Sequence, residues 1–548
     1  MMQKTNGTPQ ADAPTGLLPE EVFRQFEAGV AYKRSLGVHG MFEQNRINER
    51  FYSGDQWQGV HCGDSRPLVR HNVIRRIGEY KMAVVGSTPT SVQFTAEGVP
   101  NTLPMQQKIR RYRQALCRGE ECEALTPAEE AQTVAGALTD YFLTTGRRLG
   151  LDALGRRALR NAYVTGTGVL YTYWDDRVRT GLYADRAGST PIRGDIACEV
   201  LDIEQVYVED PTLEDIQEQP SVLIAQRKPV AQLRREARRS GCADWDRIRA
   251  DEGGTDAAGH ATVLTRFWKE WGEDGESCRV YAQRVCRGVE LRPAWDTGLR
   301  LYPLSLFRWE EQRGQAYGSS EIPYLIPNQI AINRTVSAGV WAVMMMGMPI
   351  MLVNGDVVTQ PITNDPGQVI PVYGSGEEVQ NAVRYVEPPT FSADFNENVQ
   401  NLINETMTQA GVSTTLLGDV VPTNASAIVA VREASLMPLQ MIQNRYFTFI
   451  EQTARIWAEF WLAMYGDRSL KIEQPDGVWY MPFHADLYRE LLLAITVRVG
   501  QGSQYSENRS VETLDNLYKN GVITAKQYLS RLPQGYVPKL DALLQELE

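Results

Sequence analysis

Between Thr335 and Asn354 the chain runs for twenty residues, TVSAGVWAVMMMGMPIMLVN, without a charge. A helix of that length matches the hydrocarbon core of a bilayer, so the segment is either a membrane span or a helix that protein covers on most sides. Three features weigh against lipid. Pro349 stands near one end, methionines occupy positions where Leu and Ile would be commoner, and Asn328, Gln329, Asn333 and Arg334 crowd the helical turns just before. A buried helix of this kind requires partners. A membrane-associated structural protein with a span near 335–354 is the competing class.

The surroundings extend the constraint. From residue 322 the pattern is one of long helices, 322–348, 392–410 and 425–465, and an insert at 349–389 separates the first two. The insert holds strand-like runs at 350–353, 368–373 and 382–386 among Gly, Pro and Asp turns. The last helix would be ~60 Å long, and Pro438 in its interior predicts a kink. Beyond that proline, Leu439, Ile442, Tyr446, Phe449, Trp457, Phe460 and Met464 form one apolar stripe at three-to-four spacing, a face for the core or for a neighbouring subunit.

Charge is distributed unevenly over the 548 residues. The formal net charge is -11, the wrong sign for a protein whose affinity comes from neutralising phosphates. From Thr335 to Val431 a single base, Arg384, stands against nine acids, a balance of -8, so most of the net charge lies there. Helix 392–410 carries Asn396, Asn398, Gln400, Asn401, Asn404 and Gln409 opposite Phe395, Val399, Leu402 and Ile403. Such a face can meet phosphate without gripping it, and plain solvent exposure would put the same residues there.

The first half reads as α+β, and its composition, 43% hydrophobic and 22% charged, is that of a globular chain. Residues 1–16 have the composition of a frayed arm and lack the apolar stretch of a secretory signal. Spacing predicts one surface helix over 19–51, a helix over 73–85 and a strand at 91–94. A helix capped by Thr126 and Glu129, with Pro127 in its first turn, should end at Gly146; a second should span 149–165 and stop at Gly166 before a strand at 168–174. Between 196 and 310 lie strand-like runs, 198–208, 262–271 and 279–289, with a helix at 229–240.

Chemistry-bearing motifs are sparse. There is no P-loop, HExxH or nucleophile elbow, and Gly166-Thr-Gly168 lacks the third glycine of a dinucleotide fingerprint. Cys242, His260, Cys278 and Cys286 lack paired CxxC knuckles, and the acids between Cys117 and Cys122 oppose a thiolate. Seven irregularly spaced cysteines fit free thiols in a reducing compartment. The expectation is no catalytic residue, no cofactor and no metal, with an enzyme of unrecognised site as a further alternative. Basic clusters at 108–113, 147–148, 156–157, 234–235 and 238–239 have acids nearby and read as solvated helix faces unless a partner meets them.

Several stretches in order resemble the portal proteins of tailed bacteriophages: Phe51-Tyr-Ser-Gly-Asp-Gln-Trp57, then Arg66-Pro67 and Asn72 leading a helix to Thr88-Pro89, then a helix into Gly166-Thr-Gly-Val-Leu170. Asn328-Gln329 with Ile332-Asn333 next opens a helix into Pro349; the β insert, a second helix, a Gly-containing loop and the long helix follow. The likeness covers about residues 20–530.

That resemblance implies a ring, usually a dodecamer, at one capsid vertex of a virion assembled in the host cytoplasm. Double-stranded DNA would be packaged and ejected through its axis, with no catalysis and no membrane. It implies a flexible arm at 1–19, a wing at 20–322, stem helices at 323–348 and 391–411, a clip at 349–390, a tunnel loop at 412–424, a long kinked wing helix at 425–466, and wing closure with a short crown at 467–548. Asp394, Glu397, Asn401, Asn404, Glu405, Gln409 and Asp419 would line the DNA channel. Asp356, Glu377, Glu378 and Arg384 would dock the terminase large subunit and the head-completion or adaptor protein. Trp341, Met345, Trp457 and Phe460 would pack between subunits. Major capsid and scaffolding proteins are the remaining implied partners.

Overall fold

A computed structural model describes residues 16–61, 66–87, 90–96, 127–183, 191–251, 259–272, 278–347, 351–358, 360–363, 369–386, 394–412, 425–474, 477–485, 493–499, 514–521, 524 and 528–529. The chain is α+β. It divides into two compact units, one of Met1–Asn45, Tyr80–Glu321 and Leu439–Glu548, the other of Arg46–Glu79 and Ile322–Pro438.

The chain opens with a departure from the periodicity, since the single helix expected over 19–51 is two, Pro19–Ser35 in the first unit and Met41–Ser53, whose residues are shared between the units. Gly37 and Gly40 between them take φ of +64° and +75°, and a Cβ on Gly40 would press on the Arg34 carbonyl, so the chain turns where only glycine fits. Likewise the helix expected to end at Gly146 runs through Pro127–Leu149 and is stopped by Gly150 at φ +66°. The proposed Thr126 cap lies outside the described residues. Leu151–Thr165 ends at Gly166, as its spacing predicts.

A five-stranded antiparallel meander follows chain order: Val206–Val208, Ser221–Pro229, His260–Trp271, Cys278–Cys286 and Val289–Asp296. The run expected at 198–208 is interrupted by a 3-10 turn, Ile203–Gln205, capped by Asp202, and the run at 279–289 folds back as a hairpin at Gly288. Alternation gives the sheet two apolar faces. Val22 and Phe23 of the first helix cover Tyr207, Leu223, Leu264 and Val285 on one side; Leu233 and Ala237 of Val230–Arg239 cover Val263, Cys286 and Leu291 on the other.

A second sheet of the same unit orders Pro191–Leu201, Thr167–Tyr183 and Leu304–Arg308. Thr167 to Leu170 are buried on consecutive positions, which means both faces are covered. Gly168 is required there, because a Cβ would fall on the Ala158 carbonyl of the neighbouring helix. The aromatic stripe of Leu439–Met464 closes this core: Phe449 faces Phe307, Trp457 lies 4.9 Å from the Phe142 ring and donates its Nε1 hydrogen to Thr172 Oγ1 at 3.3 Å, and Trp461 meets Tyr141 at 5.1 Å.

In the second unit, helices Ile322–Gly347 and Asp394–Gln409 run antiparallel, for Gly339 lies against Phe395 at one end while Asn328 Nδ2 donates to Gln409 Oε1 at 3.0 Å at the other. Between them Met351–Val353 pairs antiparallel with Val383–Tyr385. No strand forms over 369–373; a short helix, Gly376–Gln380, appears, and Val357, Val358 and Ala382 gather Ile362 and Ile370 into a small core. The long helix spans Ala425–Met464 with Pro438 inside it.

Candidate assembly and channel surfaces

The polar residues before the uncharged segment have a local task. Gln329, fully buried, accepts from the backbone N–H of Val73 at 2.9 Å and of Ile74 at 3.2 Å, and donates to the His71 carbonyl at 2.7 Å. Asn333 accepts from Gln329 and from His71 N–H and donates to Gln56 Oε1 at 2.6 Å, while Ser337 Oγ accepts from Val69 N–H at 2.9 Å. Trp57 Nε1 donates to the Val69 carbonyl, and Asn72 caps the helix Val73–Ser87 through Arg75 N–H. A buried polar side chain is tolerated when its bonds are made, and here they pin the stretch 69–74 onto one side of helix Ile322–Gly347.

Past Gly339 that helix loses most of its cover among the described residues. Val340, Val343, Met344, Met345 and Met346 are 38%, 61%, 44%, 39% and 37% exposed, and consecutive exposure from 343 to 346 leaves every side of the last turn open among the described residues. Trp341 is half-buried. The insert adds exposed Leu352, Tyr373, Val383, Tyr385 and Val386. Exposed apolar side chains thus gather at this helix end and on the insert, and apolar patches on a surface are candidate interaction sites. Met345 belongs to this surface. Trp457 and Phe460 do not: at 0% and 4% exposed they are closed inside their own subunit's core, which corrects the expectation that they pack between subunits. A wide stripe alone cannot tell an intramolecular core from an interface.

The second helix presents the opposite chemistry. Val399, Ile403, Thr406 and Met407 are buried, whereas Glu397, Asn398, Gln400, Asn401, Asn404, Glu405, Thr408 and Gln409 are exposed. At 100° per residue Glu397, Asn401, Asn404 and Thr408 fall on one stripe flanked by Glu405, with no basic residue anywhere on the helix. Gln409 is engaged with Asn328 and so is anchored at the end of the stripe. Asp419 and the side chain of Asp394 lie outside the described residues, as does most of 412–424.

On the insert Asp356, Glu377 and Arg384 are exposed; the Glu378 side chain is outside the described set. Elsewhere Cys242 Sγ donates to the Glu290 carbonyl and Cys278 to that of Arg300, while burial pushes the Cys286 thiol up to about 11. Among the described residues no group of His, Cys, Asp and Glu could hold a metal ion, and no helix is long and apolar enough to cross a membrane.

One residue no sequence signal marked is Lys33, fully buried with Nζ bonded to the carbonyls of Ile203 at 2.5 Å and Val206 at 2.6 Å and set 3.9 Å from the Tyr207 ring centre. Burial pulls its pKa down to about 7, against the opposing pull of Glu204 and Asp202. Its position in an amphipathic helix resembles any solvated lysine.

The chain matches no family model and no curated protein.

Proposed function

We propose that the protein is the subunit of a portal-type ring through which double-stranded DNA passes. The observation that carries this reading is the pairing, within one unit, of an apolar helix end left uncovered among the described residues and an amide-and-acid stripe on a helix without basic residues. The apolar surface, from Val340 to Met346 and on the insert, supplies contacts that a second copy covers, head to tail and closing into a ring. The stripe Glu397, Asn401, Asn404 and Glu405 supplies a wall on which phosphates are repelled or weakly met, so DNA is centred and slides. The insert, with Asp356, Glu377 and Arg384 exposed, is the docking surface for the packaging motor and later for a head-completion protein.

Sedimentation and electron microscopy without detergent test the ring, and packaging by Asn401→Lys with Asn404→Lys tests the wall. Rings that package more slowly than the parent, most of all at low salt, are the expected result. A strictly monomeric species at all ionic strengths and with capsid partners added, or identical packaging curves, would remove the corresponding half of the proposal.

A further inference from the structure

A cleft of about 830 Å³ lies within the first unit, between the five-stranded meander and strand Thr167–Tyr183, and none of the surfaces above uses it. Its floor is one row of the sheet, since Ile224 pairs with Thr265, Thr265 with Arg284, and Arg284 with Arg292. The last pairing sets two arginines directly opposite each other on one face, an arrangement that costs stability. Lys228 also lines the cleft. Burial and the Arg284 charge together hold both Lys228 and Arg292 below their ordinary values.

Four carboxylates, Asp176, Glu199, Glu236 and Asp296, share the lining with these three bases. Glu236 accepts from Arg284 at 3.3 Å, Asp296 is engaged by Arg279 at 3.1 Å, and Glu199 and Asp176 lie on the facing sheet. The Nε–H of Arg284 is buried and has no acceptor among the described residues. A buried guanidinium N–H without an acceptor costs free energy, and Arg292 and Lys228, which line the cleft without an ion pair among the described residues, are the bases left for an acceptor from outside. The walls beside it are aromatic: Tyr171 stacks with Tyr173 at 5.4 Å, Phe267 stands 6.3 Å from Tyr171, and Arg292 lies 3.7 Å over the Trp295 ring.

We propose that this cleft binds a small phosphate-bearing aromatic compound, the class of the nucleoside monophosphates. The phosphate takes Arg284, Arg292 and Lys228, and the planar ring lies against the tyrosines and Phe267; the volume is that of a small-molecule site.

Calorimetric titration and thermal melting of the full chain with adenosine monophosphate test this, with inorganic phosphate and adenosine as separate arms. Saturable binding of the monophosphate, tighter than either arm, is expected. Arg292→Gln should weaken that binding by ~tenfold or more, since a charge-assisted bond is lost, while raising the melting temperature of the free protein because the opposed charges are gone. Lys228→Met should weaken binding likewise and serves if the first variant fails to fold. No binding at millimolar concentration, phosphate or adenosine binding as tightly as the monophosphate, or an affinity unchanged in both variants would overturn the assignment.

Discussion

Replacing Gln329 with methionine tests whether the second unit is held by its polar clamp. Methionine keeps the length of the side chain and withdraws four hydrogen bonds at 2.7–3.2 Å, those with Val73, Ile74, His71 and Asn333. At a net ~0.5–1.5 kcal/mol each, the bonds total ~2–6 kcal/mol. The apolar replacement returns ~1–2 kcal/mol through burial, leaving a net loss between ~0 and ~5 kcal/mol, ~2.5 kcal/mol at the middle of both ranges. Because two units need not unfold together, the suitable assay is native-state hydrogen exchange read on the peptide covering 69–79. At 1.4 kcal/mol per factor of ten, the mid-range loss makes the amides of Val73 and Ile74 exchange ~60-fold faster in Gln329→Met. Asn333→Leu should have a similar effect, and the double variant should fall short of the sum because the two side chains share a bond. An acceleration below ~threefold would mean that water or a neighbouring group replaces the side chain, and the clamp would not be what orders the stretch 69–74.

Gly339→Val should lower the denaturation midpoint of the second unit by ~1–3 kcal/mol in stability, because a Cβ there would stand 2.5 Å from the Phe395 ring and force the helix pair apart. Lys33 gives a pH signature. Its folded pKa of about 7 lies below the free value of 10.5, so between those limits the unfolded chain binds more protons and the lysine's contribution to stability rises with pH; chemical denaturation at pH 7 and pH 9 should show a rise in the parent that Lys33→Met lacks.

What the sequence made legible divides by mechanism. Period-based signals located Leu151–Thr165, Val230–Arg239, Ile322–Gly347 and the long helix within a few residues, because amphipathic spacing is set by the same burial that forms the element. Glycine was harder to read. Gly37, Gly40 and Gly150 break helices through left-handed φ, whereas Gly146 sits inside one at no visible cost, and composition does not distinguish the two. Gly166 and Gly168, which lack the third glycine of a dinucleotide fingerprint, are close-packing positions where a Cβ would fall on the carbonyls of Gly318 and Ala158. Exposure was legible for the short helix Asp394–Gln409, whose polar and apolar faces are cleanly separated, and illegible for Trp457 and Phe460, where only the tertiary structure says which apolar face is already covered. The Gln329 and Asn333 clamp was legible as polarity before an apolar run but not as bonds, since its partners lie more than 250 residues away in the chain.

The same second unit fixes the sign of a final prediction, the response of assembly to salt. In the proposed ring the contacts between copies are apolar, while each copy brings a balance of -8 between Thr335 and Val431 to the region where copies meet. Apolar burial is nearly indifferent to a few hundred millimolar chloride, but repulsion between acids on adjacent copies reaches as far as the screening length, ~30 Å at 0.01 M and ~10 Å at 0.1 M. Raising chloride from 0.01 to 0.3 M should therefore strengthen self-association, the reverse of an interface held by ion pairs. Glu397→Gln with Glu405→Gln should flatten that slope, because both carboxylates are exposed on the stripe that faces the axis in this arrangement. Sedimentation velocity across the salt series measures it. Association that weakens as salt rises would assign the contact to opposite charges, and the exposed methionines of the helix end would then have to be covered by something other than a second copy.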